Sequence, residues 1–241
     1  MTDGFQFKQF YVRHDRCAMK VGTDGVLLGA LAEADGLRCA LDIGCGSGLI
    51  ALMLAQRFPL LRVWAIDIDA EAAAQAQANF NNSPWSDRLT ALCADIRTSS
   101  NDAAMVASFD LIVSNPPFYD HSPNASSGVR DAARRADTLS YQELARTASR
   151  LLNESGRFEV ILPYERSEEF IHTCWLCDLQ HCARTDVRTK ETKPLKRSVL
   201  SFIKGDMPHP VEAKTLTLMD ADGARAEQYR ELCRDFYLDK A

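Results

Sequence analysis

Four consecutive residues of this 241-residue chain, Asn115, Pro116, Pro117 and Phe118, have the clearest potential for chemistry. They follow the apolar run 110–114, which predicts a buried strand, so we expect them at the open end of a sheet. The prolines fix φ and remove two backbone donors, which leaves carbonyl oxygens as acceptors. The Asn115 side chain adds another acceptor, and Phe118 offers a face on which a planar group stacks. These four residues suit the binding of a planar amino group, with hydrogen bonds to both of its hydrogens.

An amino nitrogen conjugated to a ring or a carbonyl is a poor nucleophile because its lone pair is delocalised. Hydrogen bonds to both of its hydrogens, with a methyl donor aligned for attack, would make this nitrogen a better nucleophile. The segment at 115–118 therefore predicts a function only if the same chain also binds a methyl donor.

A glycine-rich turn within residues 42–50 supplies that second signal. Gly44, Gly46 and Gly48 let the backbone turn sharply and approach a ligand between a predicted strand and a predicted helix. Dinucleotide-binding turns use similar glycines at a longer spacing. Asp42 lies inside the motif, where a carboxylate repels a pyrophosphate but suits the ammonium group of a methionine moiety. The turn therefore favours S-adenosylmethionine.

Two more acidic residues come at predicted strand ends. Asp67 ends the segment 62–67, where a carboxylate accepts from ribose hydroxyls in related nucleotide folds. Asp95 ends the segment 89–95, where it would accept from an adenine amino group. Each aspartate could instead cap the loop or helix that follows it, and for one aspartate alone the two interpretations are about even. Acidic residues at three successive strand ends favour the ligand interpretation.

Together these motifs resemble the class I S-adenosylmethionine methyltransferases that modify planar amino groups. The whole chain resembles more narrowly the bacterial tRNA1(Val) (adenine(37)-N6)-methyltransferase family, and the similarity extends beyond the core to residues 7–10, 19–25, 193–197 and 235–238. The resemblance implies an α/β, Rossmann-like fold with helices on both faces of a mostly parallel, seven-stranded sheet that has an antiparallel edge. It implies methyl transfer to the N6 amine of adenosine 37 in the anticodon loop of tRNA.

The resemblance also implies site residues. Asn115, Pro116, Pro117 and Phe118 would be catalytic, and Asp42, Gly44, Gly46, Gly48, Asp67 and Asp95 would bind the donor. In the family an N-terminal arm and helix lie beside the donor pocket, which makes Lys20, Thr23 and Asp24 secondary candidates. Lys20 as a surface charge and Thr23, or Asp24, as a helix cap are equally good interpretations.

Other functions stay open. Relatives that methylate guanine N2 in ribosomal RNA share the Asn-Pro-Pro-Phe segment, and relatives that methylate a glutamine amide usually carry Tyr where this chain has Phe118. An RNA-binding protein of the same fold without catalysis is a further alternative. The complete glycine turn, Asp67 and Asn115 disfavour that alternative.

A net charge of −5 is unusual for an RNA-binding protein, but the charge is unevenly distributed. Residues 184–204 contain seven basic and two acidic side chains. This pattern predicts phosphate contact on one face, with Lys193, Lys196 and Arg197 as candidates. The alternative is a solvated hairpin whose lysines protect a sheet edge.

The stretch 119–139 has the composition of a loop and directly follows the predicted catalytic segment. We expect a lid that orders when substrate arrives. Three arginines in it are candidates for phosphate contact, namely Arg130, Arg134 and Arg135.

Composition limits the remaining possibilities. No apolar stretch reaches the length of about 18 residues that a membrane span needs, and the N-terminus lacks a secretory pattern. Eight cysteines in that context predict reduced thiols and a cytoplasmic protein. Cys174 and Cys177 fall on an apolar helix face, so core packing is favoured over metal binding and we expect no metal.

We expect a monomer that forms one methyltransferase domain over residues 1–241. Residues 1–38 would form an arm and a helix, 39–204 the catalytic core, and 205–241 a last strand and helix. Within the core, alternating strands and helices predict a parallel sheet. The segments 179–187 and 198–204 predict its antiparallel edge.

Overall fold

The computed structural model describes residues 3–117, 139–205 and 210–238. The N-terminal arm contains β1 (Gly4–Gln6) and β2 (Tyr11–Arg13), which pair as a hairpin, and leads into α1 (Thr23–Leu31). The first half of the core then consists of β3 (Cys39–Ile43), α2 (Leu49–Arg57), β4 (Arg62–Asp67), α3 (Ala70–Asn81), β5 (Leu89–Cys93), α4 (Ile96–Ser99) and β6 (Phe109–Ser114).

The second half begins after the segment 118–138. It consists of α5 (Tyr141–Leu151), β7 (Leu152–Pro163), a 3-10 turn (Tyr164–Arg166), α6 (Ser167–Trp175), β8 (Leu179–Arg188), β9 (Leu195–Lys204), β10 (Glu212–Thr217) and α7 (Glu227–Leu232). Ser140 and Glu143 form a reciprocal capping box that starts α5.

The main sheet has the strand order β10-β8-β9-β7-β6-β3-β4-β5. Five adjacent strands of the sheet, in the order β7-β6-β3-β4-β5, pair in parallel. The strand β9 runs antiparallel to both of its neighbours, β7 and β8. The predicted mostly parallel sheet with an antiparallel edge is confirmed. Within the described residues the sheet has eight strands rather than the expected seven, because β10 adds to the edge in parallel with β8.

Helices cover both faces of this sheet, as the sequence predicts. Alternate residues of one strand point to opposite faces, so Ala40 belongs to one buried cluster and its neighbour Leu41 to the other. The first cluster contains α1, α2 and α3, and the second contains α5 and α6. The order of the strands reverses beside β3, which creates a crevice at the carboxyl ends of β3 and β6 where ligands bind in such folds.

Several predicted boundaries differ from the observed ones. The residue that caps α1 is Gly22, and no side chain caps this helix, so the predicted capping role of Thr23 or Asp24 is wrong. The C-terminal helix α7 ends at Leu232, because the chain turns there and packs Tyr237 against Phe7. No helix in the described ranges is both long and apolar enough to cross a membrane.

Candidate active site

A cavity of about 610 Å³ lies at the carboxyl ends of β3, β4, β5 and β6, where the predicted motifs meet. Each of these strands contributes to its wall through the residue at its end or just beyond it. Six of the predicted site residues line the cavity, namely Gly44, Gly46, Asp67, Asp95, Asn115 and Pro117. Gly44 and Asn115, which are 71 positions apart in the chain, therefore line one cavity.

The glycine turn begins the site. Gly44 and Gly46 have φ values of +73° and +53°, which L side chains rarely adopt, and a Cβ added at either would meet nothing within 4 Å. Gly48 differs, because a Cβ there would lie 2.5 Å from the Phe80 ring on α3. Gly44 and Gly46 thus leave open space in the cavity, while Gly48 permits close packing between α2 and α3.

Asp67 connects the turn to the end of β4. One carboxylate oxygen accepts from the Gly46 amide at 2.8 Å and the other from the Asp69 amide at 3.0 Å. The Ile66 carbonyl accepts from the Gly44 amide at 2.8 Å. Since a carboxylate has about four acceptor positions, Asp67 can still accept from a ligand in the cavity.

Asp95 both caps a helix and lines the cavity, so both interpretations of the sequence apply to it. Its carboxylate accepts from the Arg97 amide at 2.9 Å, which caps α4, and from two guanidinium nitrogens of Arg97 at 2.7–2.9 Å. The hydrogen bonds from the Arg97 side chain lower the pKa of the Asp95 carboxyl. Arg97 also lines the cavity, and the sequence analysis missed it.

Asn115 lines the cavity and carries a buried acceptor atom. Its Oδ1 is buried and has no hydrogen-bond partner among the described residues. Pro116 beside it is buried, whereas Pro117 is exposed and lines the cavity. Buried side-chain oxygens are usually hydrogen-bonded, so an unpaired one in a cavity indicates a donor supplied by a ligand.

Asp42 was predicted to contact the donor, but it does not line the cavity. Its side chain is fully buried, and within the described part of the chain neither carboxylate oxygen has a hydrogen-bond partner. Burial raises the pKa of Asp42 to about 7; the nearby Ala51 amide opposes this shift and the negative charge of Asp67 adds to it. Successive side chains of β3 point to opposite faces of the sheet. Ile43, the residue after Asp42, lines the cavity, so Asp42 points away from it.

Lys20 and Thr23 are exposed and also lie outside the cavity wall. The arm reaches the wall through Ala18 and Met19, directly before Lys20. The donor-binding roles predicted for Asp42, Gly48, Lys20 and Thr23 therefore have no support from the cavity geometry.

The sequence analysis also missed apolar members of the wall. These residues lie next to the predicted acidic strand ends or next to the segment 118–138, and they are Ile68, Ala94, Ile96 and Leu139. Their position directly after Asp67 or next to Asp95 is the signal that could have found them.

The predicted phosphate contacts have different outcomes. Arg130, Arg134 and Arg135, together with Phe118 and almost all of the predicted lid 119–139, lie outside the described residues. Lys193 and Lys196 are exposed in and after the turn between β8 and β9. Arg197 forms an ion pair of 2.8 Å with Asp24 on α1, which makes part of its role structural.

Other basic side chains of the segment 184–204 also have partners within the protein. Arg184 contacts Glu168 and Asp186 at 2.6 Å, and the Lys204 ammonium donates to the Leu152 carbonyl at 2.8 Å. Much of this charge therefore stabilises the sheet edge. Lys193 and Lys196 are its two exposed lysines in or beside the turn.

Metal-binding clusters of three or more His, Cys, Asp or Glu side chains are absent from the ranges that the structure describes. Cys174, a candidate metal ligand by sequence, lies on α6 and is buried in the core cluster that also contains α5, as core packing predicts.

Comparison with known proteins identifies the family. The sequence model of the methyltransferase small domain matches residues 19–171. A tRNA1(Val) (adenine(37)-N6)-methyltransferase of Photorhabdus laumondii is 42% identical, over 98% of this chain and 96% of its own length. One of the same name from Bacteroides fragilis is 44% identical over 97% of each chain. The chain belongs to the tRNA1(Val) (adenine(37)-N6)-methyltransferase family.

Solved structures confirm the fold of this family member. A predicted O-methyltransferase from Agrobacterium tumefaciens superimposes with a TM-score of 0.69, covering 88% of this chain and 96% of its own, at 20% identity. The predicted class I, Rossmann-like methyltransferase fold is therefore correct.

Proposed function

We propose that this protein transfers a methyl group from S-adenosylmethionine to the N6 amine of adenosine 37 in the anticodon loop of tRNA1(Val). The observation that carries the proposal is the unpaired Oδ1 of Asn115, a residue that lines the same cavity as the glycine turn and Asp67. An amine acceptor thereby shares one cavity with the features expected to bind a methyl donor. Relatives that carry this activity in their names match almost the whole chain.

The cavity suits the donor in its shape and chemistry. The turn at Gly44 and Gly46 leaves open space for a close approach, and Asp67 retains acceptor capacity for ribose hydroxyls. Apolar side chains next to Asp95 suit an adenine ring, with Ile96 buried and Ile68 half exposed at the wall. S-adenosylmethionine supplies a methyl group that its positively charged sulfur makes strongly electrophilic.

Asn115 and the carbonyl of Pro116 would accept the two hydrogens of the adenine amine. This pairing orients the nitrogen lone pair away from the ring, and Phe118 would stack on the base. After attack on the methyl group the nitrogen carries a surplus proton that is acidic and leaves to water without a strong base. Catalysis then depends on alignment and on exclusion of water.

The adenosine has to leave the stack of the anticodon loop to enter the cavity. Extrusion from a duplex costs a few kcal/mol, and less from a single-stranded loop. Pro117 and Leu139, the described residues on either side of the segment 118–138, both line the cavity. That position supports phosphate contact by Arg130, Arg134 and Arg135, and the exposed Lys193 and Lys196 would extend the contact with tRNA.

The same proposal includes the location, oligomeric state, metal requirement and domain organisation of the protein. It acts in the cytoplasm as a monomer, needs no metal, and uses residues 1–241 as one methyltransferase domain, with an arm and helix at 1–38, a core at 39–204 and a last strand and helix at 205–241. Size-exclusion chromatography with light scattering tests the monomer, and activity in the presence of EDTA tests the independence from metal.

Mass mapping of modified nucleosides in RNA from a deletion strain tests the function itself. We expect loss of N6-methyladenosine at position 37 of tRNA1(Val), and its return when the purified protein and S-adenosylmethionine are added to that tRNA. Loss of N2-methylguanosine from ribosomal RNA instead would favour the guanine alternative. An unchanged modification profile with no transfer in vitro would favour a binding protein without catalysis.

A further inference from the structure

The loop of residues 14–21, between β2 and α1, brings Ala18 and Met19 to the cavity wall. It contains no helix or strand. Its base is closed by a hydrogen bond of 3.2 Å from the Val21 amide to Nδ1 of His14, a residue that is 6% exposed. We call this segment the cavity loop. A loop without regular structure depends on other contacts to hold its tip in place.

Asn79, a buried residue of α3, supplies the first of these contacts. Its Oδ1 accepts from the Arg13 amide at 3.0 Å, and its Nδ2 donates to the Arg13 carbonyl at 2.9 Å. The same Nδ2 donates to the Ser47 carbonyl at 2.9 Å. Asn79 therefore joins Arg13, the residue directly before the cavity loop, to Ser47 in the glycine turn, and both the loop and the turn contribute residues to the cavity wall.

Gln75 lies one helical turn before Asn79 and holds the loop itself. Its Oε1 accepts from the Arg16 amide at 3.1 Å and from the Cys17 thiol at 2.9 Å. Its Nε2 donates to the Asp15 carboxylate at 2.8 Å. Every one of these partners belongs to the cavity loop, and Gln75 is only 4% exposed.

The position of these amides on α3 relates them to the cavity. Ala72, three residues before Gln75 on the same helix, lines the cavity, and residues three or four apart share one helix face. Gln77 faces elsewhere, since its Oε1 accepts from the Ala91 amide of β5 at 2.8 Å. The two amides that hold the loop thus continue the face of α3 that forms the wall.

We propose that Gln75 and Asn79 are positioning residues for the methyl donor, acting through the cavity loop to hold Met19 against the bound donor. Met19 is 45% exposed at the cavity wall, so a ligand bound in the cavity would cover it. The inference rests on the proposed function, because it takes the cavity as the donor site.

A double-mutant cycle tests this coupling by calorimetric titration with S-adenosylhomocysteine. We expect M19A alone to weaken binding several-fold and Q75A alone to weaken it by on the order of tenfold. In the Q75A background, M19A should have almost no further effect, because the loop no longer holds Met19 in place. With tRNA as substrate, Q75A should raise KM for the donor more than it lowers kcat. Q75A removes contacts to the loop only, so it avoids the risk that N79A fails to fold.

Gln77→Ala is the matched control, since it removes a partly buried amide contact of the same helix that does not involve the loop. Its donor affinity should match that of the unaltered protein. Additive effects of M19A and Q75A, or an M19A variant with full affinity, would overturn the inference. Asp67→Ala, titrated in parallel, separates this failure from failure of the proposed function: if Asp67→Ala also binds normally, the cavity is not the donor site.

Discussion

The Ser114 hydroxyl, at the end of β6, donates a hydrogen bond of 2.9 Å to the Ile43 carbonyl, at the end of β3. Ser114 and Ile43 are buried, with 1% and 3% exposure. Ser114 immediately precedes Asn115, and Ile43 immediately precedes Gly44. One hydrogen bond therefore joins the segment expected to hold the amine to the turn expected to hold the methyl donor.

Ser114→Ala should lower the rate of methyl transfer more than it lowers donor affinity. The lost hydrogen bond should allow Asn115 to move relative to the glycine turn that begins at Gly44. The lost hydrogen bond should also cost about 1 kcal/mol of stability. Single-turnover rates, calorimetric titration and thermal unfolding measure the three effects. Ser108→Ala removes an exposed hydroxyl-to-carbonyl bond and serves as the control. Equal losses of rate and affinity would contradict the positioning role.

Asn115→Ala should abolish transfer to tRNA while donor affinity stays unchanged, since the lost acceptor faces the amine. Radiolabelled donor measures turnover, and titration with S-adenosylhomocysteine measures affinity. Asn101→Ala removes an exposed amide outside the cavity and should retain full activity. Retained turnover by Asn115→Ala would remove this residue from the amine-binding role.

Asp67→Ala should weaken donor binding by about 1–3 kcal/mol, the range for hydrogen bonds to a charged group. It also deprives the Gly46 and Asp69 amides of their acceptor, so Asp67→Asn is the informative companion. We expect Asp67→Asn to retain fold stability better than donor affinity. Asp102→Ala, which removes an exposed acceptor for the Ala104 amide, controls for the loss of an aspartate.

Replacing Lys193 and Lys196 together by Gln should weaken tRNA binding and reduce its salt dependence. Each lost phosphate contact lowers the slope of log K against log salt by about 0.7–0.9. Filter binding at several salt concentrations gives this slope. Lys214→Gln is the control, because Lys214 is an exposed lysine on β10 that pairs with Glu212. An unaltered slope would support the alternative of a solvated hairpin.

Asp42 should make the free energy of unfolding depend on pH. Burial raises its pKa to about 7 in the folded protein, above the value of about 3.9 in an unfolded chain. The folded state then binds more protons between these values, so stability decreases as pH rises from about 4 to 7. Asp42→Asn should remove this dependence and stabilise the protein more at pH 8 than at pH 5. Thermal unfolding at both pH values, compared with the unaltered protein, measures it; equal shifts would contradict the raised pKa.

Much of the site follows from local sequence. Gly44 and Gly46 are identified by spacing because a positive φ is a local backbone property, and Asp67 and Asn115 are identified because they end apolar strands. Parallel strands bring their carboxyl ends to one edge, so strand ends alone are enough to predict that these residues meet. The alternation of strands and helices likewise predicts the fold class.

Other features depend on contacts between distant parts of the chain. Asp42 faces the interior and Ile43 the cavity because of the pleat of β3 between its neighbours. Arg197 pairs with Asp24 across 173 positions of sequence, which redirects a predicted phosphate contact.

The sequence alone predicts which residues have the chemistry to bind a methyl donor or an amine, because that prediction depends only on residue type and local spacing. The tertiary structure decides which of these side chains line the cavity and which form contacts within the protein. Gln75 and Asn79 illustrate this, since their roles depend on a loop about 60 residues away in the sequence. Only packing of α3 against the arm determines that contact, because hydrogen-bond partners are selected by proximity in space and by exclusion of water.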